Sequence, residues 1–525
     1  MIQKKNTKTN GFELMKTLRL ILGDQLNHKH SWFKNKDSNC IYLMAEMRQE
    51  TDYVKHHVQK VVAFFMAMRS FAEELQDKGH TVSYFKINTK ENPQELSKLI
   101  QRTITENQIK KFEYQLPDEY RLDQQLKEIC QNLDIETAAV DSEHFYTERQ
   151  DLANFFEGKK SLLMESFYRM MRKKHGVLMA SDSNPEGGKW NFDQSNRKKW
   201  QGNPEIPHER GFRKDATAIL EELEKAGIET FGNIPNNNLS WPTTRADSLQ
   251  VLNHFCDELL VHFGDYQDAL HTSQKYLFHS RLSFAMNSKI LSPKEVLDKV
   301  VDTYLENKDQ IDISQVEGFV RQILGWREYM RGIYWKEMPN YATLNKLNNT
   351  NKLPEFFWTG KTKMNCLKHA IGQSLDDAYA HHIQRLMVIG NYALLTQINP
   401  DEVDKWYLGI YIDALEWVEI TNTRGMSQFA DGGIVATKPY VSSANYINKM
   451  GNYCKNCYYK HTQKTGEAAC PFNSLYWHFL DEKKEYFKDN QRMGMMLNLL
   501  KKKDAKELEQ LKERAQQVIE NPDNF

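Results

Sequence analysis

Short apolar runs and helical stripes alternate through residues 17–145. Leu18–Leu22 and Ile41–Ala45 are continuous apolar runs of strand length, which predicts two buried strands. From about Tyr53 to Asp77, Val58, Val61, Val62, Phe65, Met68 and Phe71 recur at helical spacing. That stripe stops before Gly79, a residue suited to the left-handed turn that closes a helix. Thr81–Ile87 predicts a third strand and residues 93–106 a second helix. Phe112–Gln115 and Ala138–Val140 complete the set. Repeated βα units predict an α/β domain with a parallel, doubly wound sheet.

The pattern then changes twice. Residues 146–245 are mixed, and 181–210 are rich in Gly, Pro, Asn and charge, as in a long surface connector. From about residue 246 the periodicity is helical throughout, with no strand alternation and no internal repeat. Asn490–Val518 is rich in Lys and Glu and predicts a solvated outer helix. The chain therefore divides into a disordered extension (1–16), an α/β domain (17–145), a connector (146–245) and a large all-α domain (246–525).

A chain of 525 residues exceeds one ordinary core, in keeping with this division. Its 70 basic and 70 acidic residues cancel, so net charge points to no nucleic-acid partner. A local basic face is still compatible with that sum. No apolar run approaches the roughly 20 residues of a membrane span. Met1–Asn10 is polar and lysine-rich, without the apolar stretch of a secretory signal. A reducing, cytoplasmic setting is expected, and the cysteines fit it. Cys454 and Cys457 form a Cys-Lys-Asn-Cys pair, Cys470 precedes Pro471, and Cys366 lies 88 positions before Cys454. Four such thiolates suit tetrahedral zinc or an iron–sulfur cluster. Cys40, Cys130 and Cys256 are isolated and read as buried residues.

Several polar groups stand where chemistry is expected. Asp24 follows the first strand, and Glu46 and Glu50 follow the second. Ligands of open parallel sheets bind beyond the carboxyl ends of strands, although capping of the following helices accounts for these acids equally. In Tyr276–Pro293, His279, Ser280, Arg281 and Ser283 gather at a helix start, suited to phosphate or to simple capping. In Glu317–Trp335, Gln322, Trp326, Tyr329 and Ile333 share one side, with Arg327 and Arg331 beside them. His381, His382 and Arg385 fall within one turn, and a histidine can donate a proton near neutral pH. Asp413, Glu416, Glu419 and Asn422 lie among aromatics in Trp406–Asp431, an unusual setting for a solvated face.

In order, LILGDQL, FHSRLSF, RQILGWREYMRGIYW, AHHIQRLM, MSQFADGG, KPY, CKNC and CP resemble the photolyase and cryptochrome superfamily. The cysteine set is similar to that of its iron–sulfur bacterial branch, the prokaryotic (6-4) photolyases. The resemblance spans nearly all of the chain after residue 17.

That resemblance implies FAD in the helical domain and a four-iron four-sulfur cluster on Cys366, Cys454, Cys457 and Cys470. The Ser280, Arg281, Leu282, Ser283 stretch would meet the FAD phosphates. Gln322, Trp326, Arg327 and Arg385 would line the pocket, with Asp413 and Glu419 facing the isoalloxazine. Trp406, Tyr407 and Trp358 would carry electrons from the surface. Asp24, Glu46 and Glu50 would contact an antenna, 6,7-dimethyl-8-ribityllumazine in this branch. The implied reaction is light-dependent repair of (6-4) pyrimidine–pyrimidone photoproducts in UV-damaged DNA. His382 would be the proton donor and His381 its partner. Where eukaryotic (6-4) enzymes carry a second histidine four positions on, this chain has Leu386. Arg172–His175 and Arg197–Lys199 are candidates for the DNA backbone, and a monomer is expected. The alternative is a cryptochrome-like blue-light photoreceptor with the same cofactors.

Overall fold

The computed structural model describes residues 15–525, so the extension expected at 1–16 lies almost wholly outside the described residues. Five strands form the N-terminal sheet: β1 (Thr17–Leu20), β2 (Cys40–Ala45), β3 (Thr81–Phe85), β4 (Lys111–Gln115) and β5 (Glu136–Val140). Their order is β3-β2-β1-β4-β5 and every pairing is parallel. Helices α1 (Val58–Asp77), α2 (Leu96–Asn107) and α3 (Tyr120–Gln131) make the crossovers. Strand order reverses between β1 and β4, so a crevice opens beyond their carboxyl ends. The apolar stripe of α1 is buried as its period requires, and Gly79, at φ +84°, lets the backbone N–H of His80 reach back to Leu75.

Helix α1 starts at Val58, where its apolar stripe begins and later than the expected Tyr53, because His57 caps it: the Nδ1 of His57 accepts from the Gln59 N–H at 3.1 Å. Helix α3 was not legible as a separate element. Its buried positions are Leu122, Asp123, Leu126 and Ile129, in a segment otherwise dominated by charge.

The connector is less loose than its composition predicts. It contains the helices Met164–His175 and Thr217–Lys225. Asn196 is fully buried where a Cβ at Gly318 or Gly264 would meet it at 2.7 or 3.1 Å. Two glycines thus let one connector side chain seat against the helical domain. Arg172, a candidate for DNA contact, is fully buried and donates to the Val177 and Leu178 carbonyls. Lys198 pairs with Asp265 at 2.8 Å.

Beyond residue 246 the described structure is helical apart from isolated bridges. The outer helix expected at 490–518 is two helices, Gly494–Lys501 and Ala505–Glu520. The break falls at Asp504, whose side chain accepts from the Glu507 N–H at 2.9 Å. The second helix is not merely solvated: Leu511, Ala515 and Val518 are buried. Three π-helical turns, Arg321–Arg327, Gln384–Gly390 and Thr421–Ser427, coincide with three of the polar segments singled out above. Such turns recur at functional sites, since the widened backbone re-aims side chains.

Candidate functional site

The helical domain brings distant segments together at Asp413. Arg385 clasps its carboxylate with two hydrogen bonds, 2.9 and 3.1 Å long. Asn287 donates to the Asp413 carbonyl at 2.7 Å, and the Ser283 side chain donates to the carboxylate. Burial opposes ionisation of Asp413, yet Arg385 outweighs it and holds the carboxyl below its usual range. The Arg385 guanidinium also stacks 3.8 Å from the Tyr411 ring centre.

Exposure singles out a few side chains on the neighbouring motif segments. From Ser314 to Tyr334 every side chain is buried except Gln322 and Trp326. Between Ile383 and Thr396 Arg385 alone is partly exposed, and Ser280 and Ser283 are half-buried. A polar or aromatic window in otherwise buried helices is what a ligand cavity requires. His382 is exposed at the rim while His381 is buried. Protein surrounds His382 on its inner side. That burial, with Arg385 and His279 nearby, pushes its pKa down to about 4. His381 stacks on His279 with ring centres 4.6 Å apart.

Three residues expected in this pocket face elsewhere. Arg281, at φ +57°, turns outward to pair with Glu209 at 2.9 Å and lies over Tyr276 and Trp241. Leu282 is fully buried in the core. Arg327 meets His144 at 3.0 Å and Asn287 at 3.4 Å, at the junction with the α/β domain. The turn at 280–283 is too tight for four successive side chains to share one side.

Glu419 is buried, with Oε1 lacking a partner among the described residues. Burial, reinforced by Asp404, raises its carboxyl well above the usual range, which favours the neutral, hydrogen-donating form. Trp406 is fully buried and donates to the Phe357 carbonyl at 3.0 Å. The next residue, Trp358, is 40% exposed, so an aromatic route leads from core to surface. Tyr407 packs 5.4 Å from Trp406 and donates to the Arg385 carbonyl at 2.6 Å.

A cavity opens at the sheet's switch point. Asp24, Glu46 and Glu50 line it as their position predicts, and none caps a helix. Glu46 is fully enclosed, its oxygens taken by Arg69, Tyr84 and the Ile87 N–H, so it braces the wall. Asp24 is paired with Lys289 at 2.7 Å. Glu50 pairs with Arg121 at 2.9 Å.

Sequence reasoning missed Glu119 and Lys60 in the same cavity, and it grouped Glu416 with Asp413 and Glu419 rather than here. Burial, with Glu416 adding to it and Arg121 opposing, lifts Glu119 to about 8. Burial lowers Lys60 to about 7. Asp118 and Glu119 follow β4 as Asp24 follows β1, so the same rule applied to β4 finds them. Glu416 and Trp417 arrive from the other domain, which no local pattern reveals.

Cys366, Cys454, Cys457 and Cys470 are free thiols lining one small cavity. Among the described residues, no group of three or more His, Cys, Asp or Glu is close enough to hold a single metal ion. Four thiol donors converging on one cavity are a set that soft metal ions and iron–sulfur clusters both accept. Cys366 lies in the first turn of Asn365–Asp377, and Cys470 caps Pro471–Glu482. The N–H groups of Leu367 and Phe472 point at their sulfurs. Burial first, then the neighbouring cysteines, raises the Cys366 thiol far above its usual range. A cationic partner would relieve both costs.

Residues 19–239 match the family described as deoxyribodipyrimidine photo-lyase-related protein. A (6-4) photolyase from Agrobacterium fabrum is 40% identical over 483 residues, covering 91% of this chain and 94% of that protein. The fold matches a bacterial class III photolyase from Agrobacterium tumefaciens with a TM-score of 0.58 at 12% identity, covering 99% of each chain. It matches a cryptochrome from Synechocystis sp. with a TM-score of 0.53 at 13% identity, covering 90% of this chain and 93% of that one. No helix among the described residues is long and apolar enough to cross a membrane. With identity sustained along nearly the whole of both sequences, the protein belongs to the photolyase and cryptochrome superfamily, in the family of the bacterial (6-4) photolyase.

Proposed function

We propose that this protein repairs (6-4) pyrimidine–pyrimidone photoproducts in DNA by light-driven electron transfer, as the name of its relative indicates. One observation carries the reading: His382 is exposed beside buried His381 and within one turn of Arg385, whose guanidinium holds Asp413. FAD, when bound in reduced form, supplies the photoexcited electron. Arg385, Asp413, Ser283, Gln322 and Trp326 would hold it, and neutral Glu419 would offer a hydrogen bond to the ring system. The unpartnered Oε1 of that buried acid supports the fit.

His382 delivers the proton to the lesion. Its ring is neutral in the free protein, since burial and Arg385 disfavour the imidazolium. Anionic DNA at the rim opposes those cations and favours protonation where the lesion binds. His381 is buried with Nδ1 unpartnered among the described residues, so it shapes the floor rather than donating to DNA. Trp406 and Trp358, bridged by Phe357, lead electrons inward from the surface.

A four-iron four-sulfur cluster on Cys366, Cys454, Cys457 and Cys470 would join the C-terminal turn to Asn365–Asp377. A lumazine antenna in the switch-point cavity would gather light. Lys60, Glu50 and Glu119 would be its polar contacts there, while Asp24 and Glu46 are occupied by the protein itself. DNA would bind with the damaged dinucleotide flipped into the cavity below His382.

The deciding experiment illuminates the reduced protein with DNA carrying either a (6-4) product or a cyclobutane dimer. Repair of the (6-4) product alone is expected. Repair of the dimer alone reassigns the substrate, and repair of neither, with flavin bound, makes the protein a photoreceptor.

A further inference from the structure

The four cysteines do not touch the histidines, yet a buried chain of hydrogen bonds joins the two sites. Tyr453 immediately precedes Cys454 and is 1% exposed. Its hydroxyl accepts from the Gln384 Nε2 at 3.0 Å. The same nitrogen donates to Gln373 at 2.9 Å, so both of its protons are used. The Gln384 Oε1 accepts the backbone N–H of His381 at 2.9 Å. Gln384 therefore caps the turn that carries His381 and His382, and Tyr453 fixes which way its amide faces.

The other end is equally constrained. Asn365, immediately before Cys366, donates to the Tyr453 carbonyl at 2.8 Å. Gln373 lies on the helix Asn365–Asp377 that carries Cys366, and donates to the Lys275 carbonyl at 3.1 Å, a few residues before Ser280. His369, on that helix too, stacks against the Tyr453 ring at 5.7 Å and 5°. Gln384 cannot rotate without leaving a buried donor unmade, a penalty larger than the gain from an ordinary hydrogen bond.

We propose that Tyr453 and Gln384 are positioning residues through which the cysteine site holds His381, and with it the exposed His382, in register for proton delivery. This rests on the repair reading above. It gives the cysteine site a role in the reaction that requires no electron to leave or enter it. Asn365, beside Cys366, fixes the peptide at Tyr453, Tyr453 orients Gln384, and Gln384 anchors the histidine turn.

The test uses the full-length holoprotein with Tyr453→Phe, which keeps the ring and removes the hydroxyl. Three quantities are measured: iron and flavin per chain, hydrogen exchange at the His381 amide without DNA, and single-turnover repair with lesion affinity. Loss of one buried partner predicts a roughly 3- to 10-fold faster exchange at His381. Repair should slow by a similar factor, with iron, flavin and lesion affinity unchanged. Gln384→Leu, which removes both arms without approaching a cysteine, should exceed Tyr453→Phe in both rates. Unchanged exchange in Tyr453→Phe overturns the link. So does a repair loss that tracks lost iron, because Tyr453 would then serve the cysteines alone. The exchange measurement needs no lesion, so it stands even if the substrate reading fails.

Discussion

Replacing Lys289 with methionine would remove a cation shared by two carboxylates of the α/β domain. Lys289 is 1% exposed and lies 2.7 Å from Asp24 and 2.7 Å from Asp118, whose side chain is 2% exposed. It also donates to the Asp24 carbonyl at 2.9 Å. Arg331 remains 3.6 Å from Asp118 after the change, so Asp24 bears most of the loss. Breaking a buried pair by removing one partner costs about 3–5 kcal/mol, against about 0–1 kcal/mol for an exposed pair. The larger range applies because the cation is enclosed.

The pH dependence has a definite sign. Burial opposes ionisation of Asp118, but Lys289 and then Arg331 outweigh it and hold its carboxyl below the ordinary value of 3.8. The stability it contributes is therefore present above that value and lost as pH falls below it. Burial raises Asp24 against the pull of Lys289, and the charge of Asp118 adds to the rise. Without Lys289, Asp24 rises further and Asp118 rises from its lowered position. The penalty is then largest above their new pKa values and shrinks as acid protonates them. Urea unfolding at pH 7.5 and 5.5 should show a loss of about 3–5 kcal/mol at the higher pH and a smaller loss at the lower. Adding Asp24→Asn should restore part of it. A loss under about 1 kcal/mol, or one equal at both pH values, refutes the reasoning.

Three further outcomes follow from the site. His382→Ala should bind lesion DNA normally while repair under blue light falls by about 10²- to 10⁴-fold, the usual worth of a positioned acid; a wild-type rate removes His382 from the mechanism. NMR titration should find the His382 pKa near 4 in the free protein and higher with DNA bound, so that repair rises as pH falls from 8 to 6; a pKa unmoved by DNA contradicts this. Trp406→Phe should slow photoreduction of the oxidised protein but leave repair by chemically reduced protein intact, and equal photoreduction rates would exclude Trp406 from the electron route.

How far the sequence reached depended on the kind of signal. Short apolar runs and a period-3.6 stripe placed β1 to β5 and α1 within a few residues, because burial is imposed locally on each element. The rule that ligands sit beyond strand ends located Asp24, Glu46 and Glu50 at a real cavity. It could not show that Glu46 is consumed by Arg69 and Tyr84, since those partners come from α1 and β3. Likewise, Arg281 and Arg327 are polar residues beside a pocket in sequence, and only backbone direction sends them to Glu209 and His144.

By itself, the sequence determined the order of the two domains, the four-cysteine set and the histidine pair, because each is written in contiguous residue types and spacings. Tertiary structure decided everything that depends on who faces whom. It turned three motif helices into π-helical turns, closed the switch-point cavity with Glu416 and Trp417, and shared Lys289 between Asp24 and Asp118. It also seated Tyr453 against Gln384 across 69 positions of chain. Such contacts join segments distant in the chain, so their energies leave no local periodicity for the sequence to display.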